Sequence, residues 1–225
     1  MTPFAIVVRG IAAYNLYRHM NLRVVGLEHV PRRGAAVLAA RHYHHLFDGA
    51  ALVMGLPRQP HIFVALDWTR TPRERFVMET VCKLANWPVA LRGDNLAAGT
   101  TSAFARSEVR TYVRRSIASA AKLLQRGKLL AIFPEGYPTI DPAGSRKPSD
   151  DSFLPFASGL LAIVERAERL SASAVPVLPV GFRYVPAGAE RFDVTMRVGA
   201  PLQRGGVARA AFMHELEARV RALSQ

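Results

Sequence analysis

The sequence predicts an α/β fold: a single domain with a mostly buried central sheet flanked by helices, preceded by an N-terminal amphipathic helix. Two observations predict it. Short apolar runs of strand character alternate with longer stretches of helical period, and half of the 225 residues are apolar, enough for one full hydrophobic core. The strand-like runs are "AAVLAA" (35–40), "HIFVAL" (61–66), "WPVAL" (87–91), "LLAIFP" (129–134) and "AVPVLPVGF" (174–182).

At the N-terminus, "MTPFAIVVRGIAAYNLYRHM" has helical character up to about Met20. Arg9 and Arg18 interrupt it before the roughly 20 apolar residues of a membrane span accumulate, and no small-residue cleavage site follows it. Two readings stand for residues 1–21: a helix packed on its own domain, and one lying in a membrane interface with its arginines toward anionic head groups. Residues 22–225 form the domain proper. Within it, "VRTYVRRSIASAAKLLQRG" repeats its apolar positions at helical spacing and ends on Gly127, suited to a C-cap. "ARAAFMHELEARVRALSQ" closes the chain as an amphipathic helix. Residues 135–152, "EGYPTIDPAGSRKPSDDS", are rich in Pro, Gly, Ser and charge and read as a long surface loop.

Thirty basic residues against 17 acidic give a net charge of +13, so an anionic partner is expected: nucleic acid, a phospholipid surface or a phosphorylated substrate. The basic residues are scattered rather than interleaved with aromatics, and no nucleic-acid-binding module is recognisable, so no nucleic acid is expected. Cys82 is the sole cysteine, which excludes an intrachain disulfide and a four-cysteine zinc site.

Polar clusters follow three of the strand-like runs: "RHYHHLFDG" (41–49), "RGDN" (92–95) and "PEG" (134–136). Ligands of open α/β sheets sit beyond the carboxyl ends of the strands, so the three are expected to converge on one site. A zinc ion needs three or four ligands at fixed geometry, and only distant residues such as His61 are available to complete such a set, so no metal is assigned. A histidine oriented by a carboxylate is instead the usual general base near neutral pH. His45 reads as structural. Arg92, at a strand end, can grip a phosphate through two parallel hydrogen bonds.

The ordered set "RH…D", "RGDN", "IFPEG", "FLPFASGLLAIVERA" and "VPVLPVGF", with "VVGLEHVPRRGAAVLAARH" before it and "VTMRVGAPL" after, resembles the glycerolipid acyltransferase family, in particular the 1-acylglycerol-3-phosphate acyltransferases. The resemblance covers about residues 22–202. It implies that a histidine, paired with an aspartate in an H-x4-D motif, deprotonates a lysophospholipid hydroxyl, which attacks an acyl thioester of coenzyme A or acyl carrier protein with no acyl-enzyme and no further cofactor. By the same resemblance, Arg92 and Gly93 of the second motif, with Glu135 and Gly136 of the third, hold the phosphorylated acceptor, and Pro176 borders the donor pocket. It also implies a place on the cytoplasmic face of a membrane, peripheral or monotopic.

The first motif departs from the family pattern. Five positions before Asp48 stands Tyr43; His42 is six before it and His44 four. Aligning "RH" makes His42 the base, with one residue inserted. On an uninterrupted helix His44 would share a face with Asp48, and His42 would sit about 120° away, so His44 remains the rival. Two other function classes stand beside the acyltransferase: a basic nucleic-acid-binding protein, and a thioester or ester hydrolase, for which no G-x-S-x-G nucleophile elbow is present.

Overall fold

The computed structural model describes residues 3–97, 101–142, 144–149, 152–188 and 191–225. Of the long loop, Ala143, Asp150 and Asp151 lie outside the described residues. In chain order the elements are α1 (Pro3–His19), β1 (Met20–Val25), β2 (Ala36–Ala40), α2 (Phe47–Gly55), β3 (Pro60–Ile62), β4 (Val64–Ala65), α3 (Pro72–Ala85), β5 (Val89–Ala90), α4 (Gly93–Ala97), α5 (Val109–Gln125), β6 (Leu129–Ile132), α6 (Gly159–Ser171), β7 (Val177–Pro186), β8 (Phe192–Val198) and α7 (Arg209–Leu223).

Six strands form one sheet in the order β1-β8-β7-β2-β6-β3, parallel except for the antiparallel pair β7–β8. β2, at its centre, is buried along its whole length. Its alternation divides the core: Ala36, Leu38 and Ala40 face a layer with Phe47, Leu52, Leu178, Phe182 and Met196, while Val37 and Ala39 face Leu124, Leu161, Val164 and Leu216 from the helices on the other side. Each fully buried leucine contributes about 1.5–3 kcal/mol, so both faces of the sheet are anchored independently. Residues on both faces therefore read as continuous apolar runs, as the sequence did.

Gly181 in β7 is needed for the closest of these packings. A Cβ there would lie 2.3 Å from the backbone carbon of Leu223 at the end of α7, so a side chain cannot enter without displacing the helix.

The run at 61–66 is not one strand. The Phe63 N–H bonds Ala131 O in the large sheet, and the next amide, Val64, turns to Pro88 O. β3 thus joins the main sheet while β4 pairs with β5 in a two-stranded one, over a satellite core of Leu66, Cys82, Leu91 and Phe104.

The N-terminal helix forms where expected but is not amphipathic. Val8, Ala12 and Leu16 pack into the core beside α2, and Arg9 donates to Val53 O inside that contact. Ile6, Val7, Ile11, Tyr14 and Tyr17 stand exposed on the opposite side. Apolar residues thus occupy both faces, and the charged face of an amphipathic helix is missing. Among the described residues, no helix is long and apolar enough to cross a membrane.

Candidate functional site

The three polar clusters meet beyond the carboxyl ends of β2, β5 and β6. After Ala40 the chain leaves β2 with the Arg41 N–H still on Val180 O of β7, and α2 begins only at Phe47. His42 is therefore a turn residue, and helical spacing does not govern its position relative to Asp48.

Asp48, fully buried in the first turn of α2, organises that turn. Its Oδ2 accepts from His42 Nδ1 at 2.9 Å, from the Tyr43 N–H at 2.7 Å and from the His44 N–H at 3.0 Å. Its Oδ1 accepts from the Tyr184 hydroxyl at 2.6 Å. A carboxylate receiving these donors favours the tautomer with the proton on His42 Nδ1, which leaves the Nε2 lone pair able to accept one. The His42 ring stacks on Phe133 at 4.3 Å. Its side chain is 15 % exposed, so the far edge of the imidazole is within reach of a ligand.

His44 is placed differently. Its Nδ1 accepts from the N–H groups of Leu46 and Phe47 at 3.2 and 3.3 Å, so the ring caps the start of α2 where Leu46 offers no side-chain cap. Burial, with His45 next to it, pushes its pKa down to about 4, which suits a neutral acceptor and leaves Nδ1 occupied. Asp48 hydrogen-bonds the His44 main chain and not its ring nitrogen Nδ1. His45 is exposed and stacks on His44, while His61 stands away in β3 against Asn86 O. Among the described residues, no group of three or more His, Cys, Asp or Glu is arranged to hold a metal.

Arg92 reaches the site from β5. Its Nε and Nη2 meet the Asp67 carboxylate at 2.8–3.1 Å, its Nη1 donates to Gly136 O at 2.7 Å, and the guanidinium lies over the Tyr137 ring. Gly136 can receive that bond because the turn after β6 takes φ +74° there, a conformation L side chains rarely adopt. Gly93 opens α4.

Glu135 does not face open space. Its side chain is fully buried, with Oε1 accepting the His42 N–H at 2.9 Å and Oε2 accepting the Leu154 N–H at 3.1 Å, beside Lys147 Nζ at 2.7 Å. Three donors of the protein itself thus meet this carboxylate. Pro176 is not brought to the cluster: its carbonyl accepts from Val37 at the start of β2, the opposite end of the strand from His42.

Three residues of this cluster went unread in the sequence. Asp67 follows a strand-like run just as the other polar residues do, so the same rule reaches it. Tyr184 shares the inward face of β7 with Phe182 at a spacing of two, and a buried hydroxyl needs a partner. Burial and the adjoining Asp48 push that hydroxyl well above its usual pKa, so it stays a donor. Lys147 carries no sequence signal, because a lysine in a polar loop ordinarily points to water.

With the geometry described, the chain can be set beside known proteins. The acyltransferase family model matches residues 21–183. The fold is that of the crystal structure of the 1-acyl-sn-glycerophosphate acyltransferase PlsC from Thermotoga maritima, with a TM-score of 0.59 and 18% identity over 97% of this chain and 77% of that one. No curated protein matches in sequence.

Proposed function

The chain belongs to the acyltransferase family, and from that premise we propose that it moves a fatty acyl group from a thioester to the hydroxyl of a lysophospholipid such as 1-acylglycerol-3-phosphate. The observation that carries the reading is the 2.9 Å contact between His42 Nδ1 and Asp48 Oδ2 at the carboxyl end of the central strand. His42 Nε2 takes the proton of the acceptor hydroxyl as its oxygen attacks the thioester carbonyl. The C–S bond of the resulting tetrahedral adduct then breaks, and the imidazolium returns the proton to the thiolate. The donor is coenzyme A or acyl carrier protein. A thioester is already activated, so alignment and proton transfer supply most of what the step requires. The test is an acyl-transfer assay with a panel of lysophospholipids and acyl-CoA, products resolved by mass. Release of free fatty acid without acylated lipid would make the protein a hydrolase instead.

Arg92 is the residue proposed to meet the acceptor's phosphate. Asp67 and Gly136 O fix its guanidinium, and a side chain that is 17 % exposed supports contact with an anion. Arg92→Lys keeps the charge but loses the planar fork. It should raise the acceptor KM and lower kcat/KM by about 1–3 kcal/mol. Steady-state kinetics with phosphorylated and unphosphorylated acceptors check this; equal loss for both would remove Arg92 from phosphate binding.

A lysophospholipid lies in a bilayer, and the outer face of α1 is proposed to bring the enzyme there, on the cytoplasmic side. Ile11 and Tyr14 are 57% and 63% exposed on it, and the neighbouring α3 exposes Phe76, Val77 and Leu84 beside Arg73 and Lys83. Apolar side chains rimmed by cations suit an anionic interface. The protein should sediment with phosphatidylglycerol vesicles, less as salt rises, and Ile11→Glu with Tyr14→Glu should leave it in the supernatant. Equal recovery with and without vesicles would exclude the surface.

A further inference from the structure

His42 is held by its main chain as well as by its ring. Its N–H donates to Glu135 Oε1 at 2.9 Å, its carbonyl accepts from Lys147 Nζ at 2.6 Å, and Lys147 Nζ lies 2.7 Å from Glu135 Oε2. Both side chains are 0 % exposed. One buried ion pair thus brackets both polar groups of the residue, while Asp48 and Phe133 fix its imidazole. The two charges come from the segment after β6, which also bonds Thr139 N–H to His42 O and Ile140 N–H to Tyr43 O.

Such a pair adds little to stability over apolar side chains of the same volume, because removing two charges from water costs about as much as their attraction returns. Desolvation lowers the pKa of Lys147, and the Glu135 carboxylate opposes that shift. The effect of the pair is therefore on geometry. The Glu135 carboxylate thus joins the main chain of His42 to that of Leu154 and to Lys147.

We propose that Lys147, paired with Glu135, is a positioning residue for the catalytic base, fixing the main chain of His42 so that Nε2 stays aimed at the acceptor hydroxyl. This rests on the reading of His42 as base. A misplacement of about 1 Å can cost a hundredfold in rate, and the Lys147 side chain is wholly buried against His42 O and Glu135, so its removal is expected to act on turnover and not on acceptor affinity.

The test is Lys147→Met, assayed with 1-acylglycerol-3-phosphate and acyl-CoA on folded protein verified by melting temperature. The expected result is a kcat about 10- to 100-fold lower with the acceptor KM unchanged, and Lys147→Arg recovering much of the loss. A parental kcat in the methionine variant, or a loss carried wholly by KM, overturns the proposal. Should that variant fail to fold because Glu135 is left buried and unpaired, Glu135→Gln with Lys147→Met removes both charges. The same loss of kcat is expected of the pair, and a parental kcat in it overturns the proposal equally. Parental activity in His42→Ala would instead remove the base itself, a failure distinct from that of Lys147.

Discussion

A His42→Ala variant should transfer acyl groups about 10² to 10⁴-fold more slowly than the parent, the range that general-base catalysis supplies. The loss should fall on kcat, because no phosphate contact is altered. Nor should the fold be lost, since the imidazole is a partly exposed turn side chain stacked on Phe133. His44→Ala provides the contrast. It strips the cap from the Leu46 and Phe47 amides, a change expected to lower stability by about 0.5–2 kcal/mol while sparing the rate of the folded fraction. Rates and melting temperatures on both variants separate the two roles. An inactive His44 variant beside a near-normal His42 variant would transfer the base to His44 and sink the dyad described here.

Asp48→Asn should be the second large effect, and its size should depend on charge more than on shape. An asparagine can rotate its carbonyl oxygen toward His42 and the Tyr43 and His44 amides, leaving its amide nitrogen for the Tyr184 oxygen, which then accepts instead of donating. The turn can therefore persist. Lost in any arrangement is the negative charge beside the imidazolium formed when the acceptor gives up its proton; in serine hydrolases the corresponding change costs about 10⁴ in kcat. A fall of more than a hundredfold in kcat with a folded variant is expected. Parental turnover in Asp48→Asn would show that the carboxylate merely builds the turn.

Most of the scaffold was legible because a sheet buried on both faces writes itself as unbroken apolar runs, and because each polar cluster follows the end of one. β1 and β8 are harder to read: their burial alternates, and "NLRVV" and "FDVTMRV" mix charge with apolar residues. The split of 61–66 between two sheets was invisible, since a change of hydrogen-bonding partner between Phe63 and Val64 leaves no mark in composition. At the site, the approach of His42 to Asp48 followed from the motif, yet spacing left His44 open until the start of α2 at Phe47 was known. Glu135 was recognised as part of the cluster, but its pairing with Lys147 was not, because whether a loop lysine turns inward to a buried carboxylate depends on the path of that loop. Pro176 was assigned to the donor pocket by resemblance, while the sheet register sets it at the far end of the strand. The amphipathic reading of α1 failed for a related reason: a helix with two apolar faces has no polar stripe to reveal which one meets the core.

The sheet order also governs when the molecule can take shape during synthesis. Among the described residues β1 pairs with β8 alone, Val25 opposite Arg197 and Met20 opposite Phe192. A ribosome adding about 5–20 residues per second needs on the order of ten seconds to half a minute to travel from one strand to the other. Throughout that interval the first strand has no partner, and the helix before it holds apolar side chains on two sides. A nascent chain emerging beside a bilayer has somewhere to rest them; one released into bulk water does not, and its early residues are the segment a chaperone would be expected to hold.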